Sequence, residues 1–123
     1  MTSAILTKLA ETYPEVLTAP QTILGPNHSK VLEFWRHIDG LSDQEKEAIS
    51  DRYLALDEDV RDCAFFAACD AAEEVVGLDF RYAAWLAAWN VTGRGVFSFA
   101  TYELVGNVEN KVAYDLIMSH KQP

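Results

Sequence analysis

Residues 58–91 read EDVRDCAFFAACDAAEEVVGLDFRYAAWLAAWNV, which is two alanine-rich runs on either side of Gly77. In each run the small apolar residues recur at intervals of three and four, which predicts helices over about residues 58–76 and 80–91. Small side chains let helix backbones approach closely, so these helices are expected to form an antiparallel hairpin turning at Gly77. The second has no charged residue after Arg81, and a helix that is apolar on all sides belongs at the centre of a domain.

Three further helices are predicted on the N-terminal side of this hairpin. Apolar residues at helical spacing indicate a short helix near the N-terminus and a longer one over residues 29–39. The sequence SDQE at residues 42–45 has the pattern of a capping box, which predicts a helix over about residues 43–56. Between the first two helices, prolines and a glycine predict a loop over about residues 18–28.

The C-terminal part of the chain gives a less regular pattern. Residues 96–105, VFSFATYELV, favour a strand by composition. No second strand candidate exists to pair with this segment, and a lone strand leaves its backbone donors unpaired, so a helix is predicted instead. Asn107 is a suitable N-cap for one last helix.

Length and composition agree with one all-α domain over residues 1–123. Half of the residues are hydrophobic and 24% are charged, which is typical of a globular protein. Residues 1–28 are expected to form an N-terminal helix and loop, and residues 29–119 the helical body of a bundle of about five or six helices. No secretory signal is recognised, and the longest uncharged stretch is shorter than the roughly 20 residues of a membrane span, so a cytoplasmic protein is expected.

Acidic residues are concentrated in the middle of the chain. Residues 39–79 hold thirteen acidic and three basic side chains, within a chain whose net charge is −9. Such a surplus of carboxylates argues against direct binding to nucleic acid. On the helix predicted over residues 58–76, one face collects a set of acidic residues around a phenylalanine: Asp59, Asp62, Phe66, Asp70 and Glu73.

This acidic face has two interpretations. The carboxylates can steer a basic protein partner, such as a nucleic-acid-binding protein or a toxin, while Phe66 anchors it. Alternatively, the face is simply solvated and a neighbouring helix covers Phe66. The leading hypothesis is a small acidic interaction or regulatory protein that engages its partner through this face. A homodimer is compatible with the same pattern, because a small domain often buries an apolar helix face against its own copy.

The alternative hypothesis is a helical protein that binds a small molecule. Its pocket would be walled by Trp35, Trp85, Trp89 and tyrosines, and Arg81 or Arg94 would hold an anionic group. The spacing of Arg81, Trp85 and Trp89 is also that of ordinary core residues on one helix. The Gly-Arg-Gly sequence around Arg94 could offer backbone amides to a phosphate, but it lacks a complete phosphate-binding motif and is by default an interhelical turn.

No residue pattern predicts a catalytic site or a cofactor. Acidic pairs such as Asp59 with Asp62 could hold Mg²⁺, as a metal-dependent hydrolase would require, but no second set of ligands is evident on another helix. The histidines have no zinc-binding spacing. Cys63 and Cys69 are poorly placed to bridge each other and are expected to be buried thiols, so covalent catalysis is not expected.

Overall fold

A computed structural model of the chain describes residues 3–70, 77–108 and 111–119. Its α-helices are α1 (Ala4–Ala10), α2 (Pro20–Leu24), α3 (His28–Asp39), α4 (Asp43–Leu54), α5 (Glu58–Asp70), α6 (Leu78–Thr92), α7 (Gly95–Val105) and α8 (Val112–Ser119). Short 3-10 helices occupy Pro14–Leu17 and Gly25–Asn27. No strand occurs in these described ranges, so the prediction of an all-α domain is confirmed. None of the helices described has both the length and the hydropathy required to cross a bilayer.

Local sequence signals set several of the helix ends. The Ser42 hydroxyl accepts a hydrogen bond from the Glu45 amide at 3.1 Å, and the Glu45 carboxylate accepts one from the Ser42 amide at 2.9 Å. The predicted capping box is therefore confirmed. Ahead of α5, the Asp57 carboxylate accepts a hydrogen bond from the Asp59 amide at 2.8 Å. Gly93 ends α6 with a φ of +66°, a left-handed conformation that favours glycine.

The prediction of a loop over residues 18–28 is wrong, because most of this segment is helical. Pro20 begins α2 and Pro26 lies in the following 3-10 turn. Proline is tolerated in the first turn of a helix, where its missing amide would have had no helical acceptor. The side chain of Asn27 then donates a hydrogen bond to the Leu104 carbonyl at 2.9 Å, which ties the segment to α7. The described residues consequently hold more helical segments than the five or six expected.

The centre of the bundle is α7. Eight of its eleven residues are buried, and it packs against α3, α4, α5, α6 and α8. On one side the fully buried indole of Trp35 donates a hydrogen bond to the Thr101 hydroxyl at 3.1 Å. The prediction of a helix over residues 96–105 is confirmed. Its strand-like composition reflects burial on all sides, which removes the amphipathic period of a surface helix.

Among the described helices, the pair with the most extensive contact lies one helix further along the chain than expected. Across the turn at Gly93, α6 packs most extensively on α7, and it also packs on α1. The alanines Ala84, Ala87 and Ala88 form its buried face, which leaves the opposite face to solvent. The expectation that this helix is buried on all sides is therefore wrong, and α7 has that role. Residues 71–76, the expected C-terminal part of the first helix of the hairpin, lie outside the described residues, and Gly77, the expected turn, directly precedes α6.

Candidate interaction surface

The outward face of α5 presents acidic and aromatic side chains together. Asp59, Asp62 and Phe66 are all exposed, and Phe66 is 63% exposed. The ring of Phe66 contacts that of Phe65 edge-on, with their centroids 5.7 Å apart. No described helix covers Phe66. The phenylalanine that the sequence places among acidic residues is therefore a large apolar ring exposed to water.

Part of the predicted acidic face is not placed. Asp70 is the last residue of α5, but its side chain lies outside the described structure, as does Glu73 altogether. The described part of this face thus consists of Asp59, Asp62 and Phe66. These three residues are brought together by one helix, as the sequence predicts.

The exposed face of α6 carries a ladder of aromatic rings. Tyr82 stacks on Trp85 with a centroid distance of 5.8 Å and an interplanar angle of 17°. Trp85 in turn stacks on Trp89 at 6.1 Å and 2°. Tyr82 is 56% exposed and Trp89 is 42% exposed. Burying an aromatic ring removes a large apolar area from water, which favours binding. A row of such rings in contact with solvent is therefore a strong candidate for a binding surface.

An apolar groove joins the exposed faces of α5 and α6. Its volume is about 290 Å³, and its walls come from α5, α6 and α7: Phe65, Cys69, Tyr82, Trp85, Phe99 and Tyr102. Both cysteines are exposed, so the prediction of buried thiols is wrong. The reason is that α5 lies at the edge of the bundle and buries Ala68, so its neighbour Cys69 faces the groove instead of the core.

Arg81 lies beneath this surface and is fully buried. Its Nε and Nη2 atoms donate hydrogen bonds to the Tyr102 carbonyl at 3.0 and 2.7 Å, and its guanidinium lies 3.9 Å from the centroid of the Tyr102 ring. Burial lowers the pKa of Arg81 and raises that of Tyr102. Space for the guanidinium depends on Gly106, because a Cβ atom at that position would overlap it. Arg81 is thus a packing residue between α6 and α7.

The residues of the alternative ligand pocket are not brought together around one cavity. Trp35 is in the core against α7, whereas Trp85 and Trp89 lie on the outer face of α6. Arg81 faces Tyr102, as described above. Arg94 lines a different cavity, which adjoins the N-terminus of α7.

Glu103 is a buried ionisable residue that the sequence analysis missed. It is 2% exposed, and neither carboxylate oxygen has a hydrogen-bond partner in the described part of the chain. Burial raises its pKa to about 7, and Asp115 adds to the rise. The backbone amides of the first turn of α8 act in the opposite direction. A single glutamate inside the otherwise uncharged run of residues 95–108 was the sequence signal that could have identified it.

We use the name α5–α6 surface for the following residues, of which Trp85 is half-buried and the rest are exposed: Asp59, Asp62, Phe65, Phe66, Tyr82, Trp85 and Trp89. It combines apolar rings, a groove and carboxylates. In the ranges that the structure describes, no three or more His, Cys, Asp or Glu side chains are grouped so as to hold a metal ion. Comparison of this chain with protein-family models, with curated proteins and with solved structures finds no match.

Proposed function

We propose that this protein is an interaction or regulatory protein whose α5–α6 surface binds a basic, amphipathic helix of a protein partner. The observation that supports the proposal is the position of two sets of aromatic rings, Phe65 with Phe66 on α5 and Tyr82 to Trp89 on α6, beside one apolar groove, with exposed carboxylates on the same helices. Large aromatic residues dominate the energetics of protein interfaces and are costly to leave in water.

The groove suits an apolar side chain of the partner. Its walls are almost entirely apolar, and about 290 Å³ is more than one leucine or phenylalanine side chain fills. Amphipathic helices commonly bind in this way, with residues from one face inserted into a groove between two helices. The stacked rings of Trp85 and Trp89 are held rigidly by each other, so little conformational entropy is lost when they are covered.

The charges on the two helices that flank the groove favour basic residues at the edge of the partner helix. Asp59 and Asp62 are exposed on α5, and Asp79 is exposed at the start of α6. Carboxylates at the rim of an interface contribute chiefly by accelerating association with a positively charged partner and by excluding negatively charged ones.

The test uses a designed amphipathic peptide of about 18 residues, long enough to be helical when bound, with leucines on one face and lysines on the other. Its affinity is measured by fluorescence anisotropy for the wild type and for Phe66→Ala. Loss of one central aromatic anchor should weaken binding about tenfold. The matched control is Leu17→Ala, which removes an equally exposed apolar side chain (55% exposed) from the 3-10 helix Pro14–Leu17.

Equal affinity of Phe66→Ala and the wild type would contradict the proposal. So would an equal loss in Phe66→Ala and Leu17→Ala, because the peptide would then be binding to exposed apolar residues without regard to their place in the fold.

A further inference from the structure

A second cavity lies where α4 and α5 approach the turn between α6 and α7. Its volume is about 340 Å³, and it is distinct from the groove of the α5–α6 surface, although Phe65 and Phe99 contribute to both. Leu54 and Val96 add to its apolar lining. The rest of the lining is polar and includes two arginines, and this is the feature that points to a ligand.

The backbone that lines this cavity at the start of α7 is arranged to donate hydrogen bonds. Arg94 is in an extended conformation, and α7 begins at Gly95 with no side chain capping its N-terminus. The first amides of a helix have no acceptor within the helix, and they carry the positive end of its dipole. Gly93, Arg94, Gly95 and Val96 all line the cavity, so this N-terminus adjoins the space in which a ligand would lie.

Two arginines add full positive charges. Arg61 of α5 and Arg94 both line the cavity, and within the described residues neither guanidinium is within ion-pair distance of a carboxylate. The Nε of Arg61 donates a weak hydrogen bond of 3.4 Å to the Leu56 carbonyl, which leaves its terminal nitrogens for other acceptors. Asp62 is the one acidic residue among those lining the cavity, so the two arginines outnumber it.

Tyr53 supplies an independent indication of a ligand. Its side chain is 8% exposed and lines the cavity, yet its hydroxyl makes no hydrogen bond to any described residue. Burial raises the pKa of Tyr53, with Glu103 and Asp62 adding to the rise and Arg61 opposing it, so the hydroxyl keeps its proton and can donate it. The hydroxyl is therefore available to an acceptor bound in the cavity.

We infer that this cavity binds a phosphomonoester with an apolar substituent. The phosphate would accept hydrogen bonds from the N-terminus of α7, Arg61, Arg94 and the Tyr53 hydroxyl, and the substituent would lie against Leu54, Phe65 and Phe99. Donors from three helices and a turn suit a tetrahedral dianion better than a planar carboxylate, which has fewer oxygens to offer.

The test is a calorimetric titration with phenyl phosphate, compared with inorganic phosphate and with benzoate. Phenyl phosphate should bind most tightly, because only it offers both a phosphate for the polar lining and a ring for the apolar lining. Arg94→Gln should weaken its binding about tenfold or more, since a hydrogen bond to a charged group is lost. Tyr53→Phe should weaken binding by a smaller factor. Arg52→Gln on α4 is the matched control, because Arg52 is exposed and does not line the cavity.

The inference is overturned if phenyl phosphate shows no saturable binding, or if Arg94→Gln binds it as tightly as Arg52→Gln does. Benzoate binding as tightly as phenyl phosphate would also overturn it, because the site would then lack the preference for phosphate. Tyr53 is a core residue, so the comparison of the two arginine variants keeps the test decisive even if Tyr53→Phe is unstable.

The variant Asp62→Asn distinguishes phosphate binding in this cavity from the proposed protein interaction. Asp62→Asn removes the carboxylate that faces the bound phosphate, so phenyl phosphate should bind several-fold more tightly. The same change removes an attractive charge for a lysine-rich helix, so the designed peptide should bind more weakly. Either activity can fail without the other. An Asp62→Asn variant with unchanged or weakened phenyl phosphate binding would argue against the cavity as the phosphate site.

Discussion

Glu103 shows how a single buried residue can set the pH dependence of the whole domain. Its pKa is about 7 in the folded protein, against 4.5 for an ordinary glutamate. The folded state therefore retains the proton to higher pH than the unfolded state does. The contribution of protonated Glu103 to the free energy of unfolding is fully present below pH 4.5 and is lost as the pH rises through about 7. The total loss is about 3 kcal/mol.

The variant Glu103→Gln should remove this dependence, because glutamine has the same size and stays neutral. We expect its melting temperature to vary less than that of the wild type between pH 4.5 and 7, and to exceed it at pH 8. Glu33→Gln, at an exposed position on α3, is the control and should follow the wild type. Parallel curves of melting temperature against pH for Glu103→Gln and the wild type would show that the carboxyl group is not held in its neutral form.

At the scale of helices, sequence reasoning succeeded where local signals were strong. The capping box of α4 and the apolar stripe of α3 can be recognised from neighbouring residues alone, because a cap or a 3.6-residue period does not depend on the rest of the chain. The role of α7 was harder to predict. A helix that is buried on all sides lacks the 3.6-residue period of apolar residues. Its sequence alone therefore does not distinguish it from a buried strand.

The expected burial of α6 was the main error at this scale. Its small apolar side chains were expected at a helix contact, and the absence of charge after Arg81 led to the expectation that its aromatic side is buried as well. In the fold, the close approach of α7 and α1 selects the small side chains Ala84 and Ala88 for the interior. Tyr82 and Trp89 are consequently exposed. The same principle explains Cys69, which lies beside the one described residue of α5 that is buried, Ala68.

The packing of α6 on α7 can be tested through Gly106. Replacing Gly106 with alanine places a methyl group where the Arg81 guanidinium lies, so Arg81 must leave the Tyr102 carbonyl and ring. We expect the free energy of unfolding to fall by about 3 kcal/mol, as for other overpacked sites that also lose buried hydrogen bonds. Chemical denaturation measures the change.

Gly95→Ala is the control for Gly106→Ala. At Gly95 an added Cβ would meet its nearest neighbour, Phe99, at 3.6 Å, which is an ordinary contact. This change should alter the free energy of unfolding by less than about 1 kcal/mol. Similar losses in the two variants would mean that removal of glycine, and not displacement of Arg81, is what destabilises the protein.

For the molecule as a whole, the decisive property is the uneven distribution of charge. Residues 39–79 carry all of the acidic surplus, and the fold places most of its described part on α4, α5 and the start of α6. That much follows from the sequence. The pairing of Arg61 with Arg94 around one cavity does not, because these residues are far apart in the chain and meet only through the packing of α4 and α5 on α7. The proximity of these two arginines within an acidic molecule is therefore visible only in the folded structure.

The acidic surplus should control how fast a basic helix associates with the α5–α6 surface. Replacing Asp59 and Asp62 together with asparagine should lower the association rate constant of the lysine peptide several-fold at low ionic strength and reduce its dependence on salt. The dissociation rate constant should change little, whereas Phe66→Ala should raise it, because apolar anchors act after the encounter. Stopped-flow measurements between about 0.02 and 0.5 M salt separate the two rates.

The control is Glu15→Gln, which removes an exposed carboxylate from the 3-10 helix Pro14–Leu17 and should leave both rates nearly unchanged. An association rate that does not vary with salt would mean that the carboxylates of α5 take no part in recognition and that any binding there is apolar alone.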